Sequence, residues 1–150
     1  MEVKDLGHVV FYVRDLARSV HFYRDVLGFK EVGSFPGGVA AFVTASGRTH
    51  HELLLIEVGA DAPRPPQGRR AGFYHVGLKV GDTLDELRAA KQSLEEAGVP
   101  IVGMSDHTVS KSIYLLDPDG NEIEVYIDAD PAVWRDNPMA VLAPIRPLAL

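Results

Sequence analysis

Two histidines in matching settings are the residues of this chain most able to do chemistry. His8 lies in Gly7-His8-Val9-Val10-Phe11-Tyr12-Val13-Arg14-Asp15, and His75 in Tyr74-His75-Val76-Gly77-Leu78-Lys79-Val80-Gly81-Asp82. The histidines are 67 positions apart, and so are Asp15 and Asp82. A fixed long-period repeat sets a fold before local propensities do. It predicts two similar units, each with a histidine at the same point of its first strand, facing each other across a shared cavity. The chain has no cysteine, so a metal would be held by His, Asp, Glu or Tyr. Two His and one carboxylate with open positions suit Fe(II) and oxygen chemistry. Asn121-Glu122-Ile123-Glu124-Val125-Tyr126 offers two carboxylates. Strand alternation puts Glu122 and Glu124 on one face, so parity leaves both open. Glu124 lies deeper in the strand, whereas Glu122 adjoins a turn where solvent reaches it.

These residues need elements to hold them, and the pattern predicts strand, helix, then three strands, twice over. Residues 6–13 alternate and are rich in β-branched and aromatic side chains, as a strand requires. Asp15 is a plausible N-cap, Leu16, Val20, Tyr23 and Leu27 follow helical spacing, and Gly28 is the expected stop. Strands are predicted over 29–35, 39–44 and 52–58. Residues 59–71, rich in Gly, Ala and Pro, read as a linker. The second unit predicts a strand over 73–80, then a helix capped by Thr83 or Asp82 and running through Leu84, Leu87, Leu94 and Ala97. Its later strands fall near 99–104, 111–116 and 121–127, with a tight turn at Asp117-Pro118-Asp119-Gly120. The boundaries are module one 1–58, linker 59–71, module two 72–127 and tail 128–150, within one domain. The tail is Pro-rich and holds the only tryptophan, Trp134. Its apolar content predicts packing on the body or on a partner subunit.

Bulk properties narrow the function. A chain of 150 residues can bury a real core. Its hydrophobic share of 46% and charged share of 24% are ordinary for a globular protein. A net charge of −6 argues against nucleic acid, whose binding needs clustered Lys and Arg. No apolar run approaches a membrane span, and Met-Glu-Val-Lys-Asp lacks the core of a signal peptide. The expectation is a cytoplasmic protein without membrane or nucleic-acid partners.

Gly7-His8-Val9, Tyr74-His75-Val76 and Asp117-Pro118-Asp119-Gly120-Asn121-Glu122-Ile123-Glu124 resemble the vicinal oxygen chelate superfamily, which includes glyoxalase I, bleomycin-resistance proteins and type I extradiol dioxygenases. The resemblance covers about residues 5–128. It implies an α+β fold in which two tandem βαβββ modules form a cupped, incomplete mixed β-barrel with flanking helices. It also implies His8, His75 and Glu124 as metal ligands, which selects Glu124 over Glu122.

Further residues resemble the extradiol branch. His50-His51-Glu52-Leu53-Leu54-Leu55 is similar to its His-His-x-Leu-Ala segment, which implies His51 as acid/base. Asp106-His107-Thr108-Val109-Ser110, followed by Ile113-Tyr114-Leu115-Leu116-Asp117-Pro118, is similar to the catechol 2,3-dioxygenase-like segment. That implies His107 hydrogen-bonding substrate and Tyr114 contacting the metal-bound catecholate. A near-neutral His can take and return the proton a bound catechol loses, and a phenol beside the metal can stabilise the anion. His50, without a repeat counterpart, is expected to be a neighbour on the opposite strand face. The reading is a ring-cleaving dioxygenase with Fe(II), or Mn(II), acting on a catechol-like aromatic and O2 as a homodimer or higher homo-oligomer. Two alternatives stay open. One is a glyoxalase-type lyase or isomerase, which needs a fourth ligand such as Glu57 or Glu52. The other is a metal-free bleomycin-resistance-like binding protein.

Overall fold

The computed structural model describes residues 1–150 and divides into two compact units, Met1–Pro66 and Gln67–Leu150. The division falls inside the stretch expected to be the linker.

In the first unit, β1 (Val9–Val13) leads to α1 (Leu16–Val20), then to β2 (Lys30–Phe35), β3 (Val39–Val43) and β4 (Leu53–Glu57). Asp15 caps α1 by accepting from the Arg18 amide. Glu57 accepts a second bond there, from the Leu16 amide at 2.7 Å. The helix widens into a π-helical stretch, His21–Val26, in which the Leu27 amide reaches the Phe22 carbonyl. The sheet order is β1-β4-β3-β2, with β1 and β4 parallel and the other pairs antiparallel. Phe11, Val13, Leu53 and Leu55 are buried with Leu16, Tyr23 and Phe42. Alternation leaves Val10, Tyr12, Leu54 and Ile56 on the other face, and His8 just before β1 shares the parity of Val10.

The second unit repeats the order. β5 (His75–Gly81) is followed by α2 (Leu84–Glu96), β6 (Ile101–Asp106), β7 (Ser110–Leu116) and β8 (Glu122–Asp128). Thr83 and Glu86 form a complete capping box at α2. The sheet order is β5-β8-β7-β6-β9, with β5 and β8 parallel. Ile123, Val125, Ile127, Ile113 and Leu115 are buried with Leu87 and Leu94 of α2. Their neighbours in sequence therefore populate the opposite face, which carries Glu122, Glu124, Tyr114 and His75.

The tail has secondary structure of its own. It forms α3 (Ala132–Arg135), a 3-10 turn over Pro138–Leu142 and β9 (Arg146–Pro147), which extends the sheet beside β6. The Ala129 amide bonds the Val109 carbonyl at 2.8 Å, and Ala140 is buried. The tail thus packs on its own unit. The two βαβββ modules that the repeat predicted make an α+β fold of two mixed sheets, four-stranded in the first unit and extended to five in the second by β9. No helix is long and apolar enough to cross a membrane.

Candidate metal and substrate site

The second unit assembles its functional side chains from adjacent strands. β5 and β8 pair His75 with Glu122 and Gly77 with Glu124, while β7 pairs Tyr114 with Glu124. The turn before β8 fixes that register. Asp117 accepts from the amides of Asp119 and Asn121 at 2.9 and 2.8 Å, and from the Asn121 side chain at 2.9 Å. Gly120 takes φ +93°, a conformation that favours glycine. The Asp-Pro-Asp-Gly-Asn run is therefore the device that launches β8 with Glu122 and Glu124 on the face carrying His75.

His75 lies between the two carboxylates. Its Nε2 is 3.2 Å from Glu124 Oε2 and its Nδ1 is 3.5 Å from Glu122 Oε1. Two donors about 2.0–2.2 Å from one ion, about 90–110° apart, are roughly 3.0–3.5 Å from each other. The His75–Glu124 spacing fits that range. His75 Nδ1 and Glu122 Oε1 are buried without a hydrogen-bond partner. A Cβ at Gly77 would stand 3.3 Å from Glu124 Oε2 and 3.3 Å from a Tyr126 ring carbon. The glycine clears space beside the carboxylate, as strand glycines do where something approaches closely. A nitrogen and an oxygen donor with cleared space suit a divalent ion of hard or borderline character.

A hydrogen-bonded chain leads away from Glu124. The Tyr114 hydroxyl donates to Glu124 Oε1 at 3.2 Å, and His107 Nε2 lies 2.6 Å from the same hydroxyl. Burial, reinforced by the Glu124 charge, pushes the Tyr114 phenol well above its ordinary range. The turn between β6 and β7 sets His107: the His107 amide bonds the Ser110 carbonyl, and Asp106 accepts from the Thr108 amide at 2.7 Å. Thr108 has φ 71°, unusual for a β-branched residue and a mark of local strain.

In the first unit, His8 is grouped with His51 and His50. The His8 and His51 ring centres are 4.4 Å apart, as are those of His50 and His51. Burial, then the charges of His50 and His8, hold the His51 imidazole below its ordinary range. A neutral imidazole is able to accept a proton.

Two expectations from strand alternation need correction. Glu122 is not a solvated turn residue: its side chain is 23% exposed and faces His75. His50 is not set apart by strand parity, because β4 begins only at Leu53; both histidines sit in the preceding loop and their rings touch. Leu53 and Leu55 enter the core, and His51 turns to His8.

Of the expected ligands, the structure brings His75 and Glu124 together in the second unit, and His8 stands in the first beside His51. No three His, Asp or Glu side chains form one metal-holding group. Sequence reading missed Tyr74, whose ring centre is 4.5 Å from His75 and whose phenol is raised chiefly by its hydrogen bond to Glu122. It also missed Gly77, whose place two residues after His75 in a strand was a usable signal.

The family model for the Glyoxalase/Bleomycin resistance protein/Dioxygenase superfamily matches residues 5–125. The chain is 36% identical over 130 residues to a catechol-2,3-dioxygenase of Bacillus subtilis strain 168, a match covering 87% of this chain and 44% of that protein. It thus spans less than half of that relative. It is 29% identical over 128 residues to a metallothiol transferase FosB of Lysinibacillus sphaericus strain C3-41, covering 84% of each chain. Among solved structures, a lactoylglutathione lyase from Agrobacterium tumefaciens superposes with a TM-score of 0.63 at 28% identity, covering 85% of this chain and 96% of that one.

Proposed function

The chain belongs to the glyoxalase, bleomycin resistance protein and dioxygenase superfamily, and from that premise we propose that it is a metal-dependent extradiol-type dioxygenase acting on a catechol-like aromatic. His8, His75 and Glu124 hold one divalent ion, Fe(II) or Mn(II). An ion held there would supply the Lewis acidity and redox chemistry of ring cleavage. The observation that carries the reading is the chain from His107 through Tyr114 to Glu124. Tyr114 bonds the Glu124 carboxylate and His107 bonds Tyr114, which places two proton-bearing groups in series beside the point where an anionic oxygen of the substrate would need hydrogen bonds. Tyr114, held protonated by burial, donates. His107 keeps the phenol oriented and is itself able to donate. His51, beside His8, takes the proton that a catechol hydroxyl loses and returns it on the way to product.

The glyoxalase-type alternative is less well supported. Its fourth ligand would come from the end of the first module, where both carboxylates are already engaged. Glu57 accepts from the Leu16 amide, and Glu52 accepts from the Thr44 amide and hydroxyl at 2.7 and 2.6 Å. On the face shared with His8, β4 offers only Leu54 and Ile56. A metal-free binding role would leave His75 and Glu124 as a plain ion pair at 3.2 Å and give no task to the Tyr114 and His107 chain beside it.

His51→Gln tests the assignment. The variant should keep its metal and bind a catechol, but turn over about a hundredfold more slowly, typical of losing a general acid/base. In a glyoxalase-type enzyme His51 would be a bystander. Full activity of His51→Gln on the substrate would overturn the reading.

A further inference from the structure

The second unit contains a cavity of about 520 Å³ that borders Glu124, within the range of small-molecule sites and far larger than one benzene ring needs. One wall comes from the face that carries the candidate ligand: Gly77, Glu124, Tyr126 and Asp128. The facing wall comes from the C-terminal segment, through Trp134 and Val141. This segment is pinned at both ends. The Ala129 amide bonds the Val109 carbonyl, β9 pairs with β6, and the Arg146 guanidinium reaches the Thr108 hydroxyl at 3.3 Å. Between those anchors, α3 and the 3-10 turn hold Trp134 and Val141 over the sheet. Arg135 lies 5.4 Å from the Trp134 ring centre and steadies it. Trp134 Nε1 is buried without a partner.

The lining has a definite chemistry. The indole of Trp134, the phenol ring of Tyr126, Val109, Val141 and the bare Gly77 form its apolar part, beside the Ser110 hydroxyl. Glu124 and Asp128 are its charged members, and both are acidic. Lys79 Nζ, 2.9 Å from Asp128, offsets one of them but is also paired with Asp82. With a divalent ion offsetting Glu124, Asp128 is the anion that a carboxylate on the ring would face, whereas a neutral apolar group would meet no such charge.

We propose that residues 128–150 act as a strap that completes a specificity pocket, in which Trp134 and Val141 receive a neutral, apolar ring substituent of the catechol and Asp128 turns anionic substituents away. The proposal rests on the metal-site reading, because a ring held at Glu124 would extend along β8 into this cavity.

The test uses binding rather than turnover. The metal-loaded full chain is titrated anaerobically by calorimetry with catechol, 4-ethylcatechol and 3,4-dihydroxybenzoate. Trp134, the only tryptophan, reports occupancy through its emission. The added ethyl group should improve affinity over catechol by about tenfold, the worth of two buried carbons, with a saturable emission change. Val141→Phe, which fills the cavity, and Trp134→Ala, which opens it, should each collapse that preference. Asp128→Asn should raise 3,4-dihydroxybenzoate affinity severalfold relative to catechol. A preference for ethyl unchanged in both wall variants, or no saturable emission change, overturns the proposal. So does an Asp128→Asn variant that discriminates against the benzoate as the wild type does. Selective binding without oxygen consumption on any catechol would sink the dioxygenase reading alone. Oxygen consumption that is indifferent to Val141 and Trp134 would sink the strap alone.

Discussion

His75 Nε2 and Glu124 Oε2 face each other at 3.2 Å across the parallel pair β5 and β8. With the His75 proton on Nδ1 and Glu124 ionised both atoms are acceptors, and a cation can stand between them. Metal binding should therefore depend on both residues. The purified protein should hold about one divalent ion per chain, and His75→Ala and Glu124→Gln should each lose it. Plasma emission on dialysed samples checks this. Stoichiometric metal in either variant would remove that residue from the site.

The Glu122 carboxylate stands at the other ring nitrogen. A histidine ligand whose remaining N–H meets a carboxylate is fixed in tautomer and orientation, and removal of that partner costs about 10- to 100-fold in metal affinity. Glu122→Gln should weaken metal binding by about that factor while preserving stoichiometry at saturation. This is a smaller loss than Glu124→Gln should cause. Competition titration with a chelator measures it. Wild-type affinity in the variant would show Glu122 to be idle.

Much of this was legible in the chain. The 67-residue spacing exposed the duplication, and alternation in β8 put Glu122 and Glu124 on one face. The Asp-Pro-Asp-Gly turn marked where β8 begins. Alternation failed at His50 and His51 because it holds only inside a strand, and β4 starts two residues later. It could not show that His75 would lie between both glutamates, because that depends on the parallel register of strands nearly 50 residues apart. The elements within the tail were opaque for a related reason: a two-residue edge pairing and a four-residue helix leave almost no periodicity to read.

Glu52 offers a check on the fold of the first unit. Its side chain is 8% exposed, and the Thr44 hydroxyl and amide, with Arg48, hold its carboxyl below the usual range. The stabilisation is present above the unfolded-state pKa of about 4.3 and is lost as pH falls through the lower folded value. Glu52→Gln should cost about 1–2 kcal/mol at neutral pH, and the gap from wild type should narrow below about pH 4. Urea melts at both pH values test this. A gap that widens on acidification would contradict the assigned bonds.

The most direct test of the account is oxygen consumption by the reconstituted protein. The chain is loaded anaerobically with Fe(II), mixed with a panel of catechols that includes neutral and anionic ring substituents, and then exposed to O2. The account predicts uptake of one O2 per catechol. A new visible absorbance from the ring-opened product should accompany it. Tyr114→Phe and His107→Gln should slow both signals together. Isomerisation of a glutathione hemithioacetal by a protein that consumes no oxygen with any catechol would contradict it.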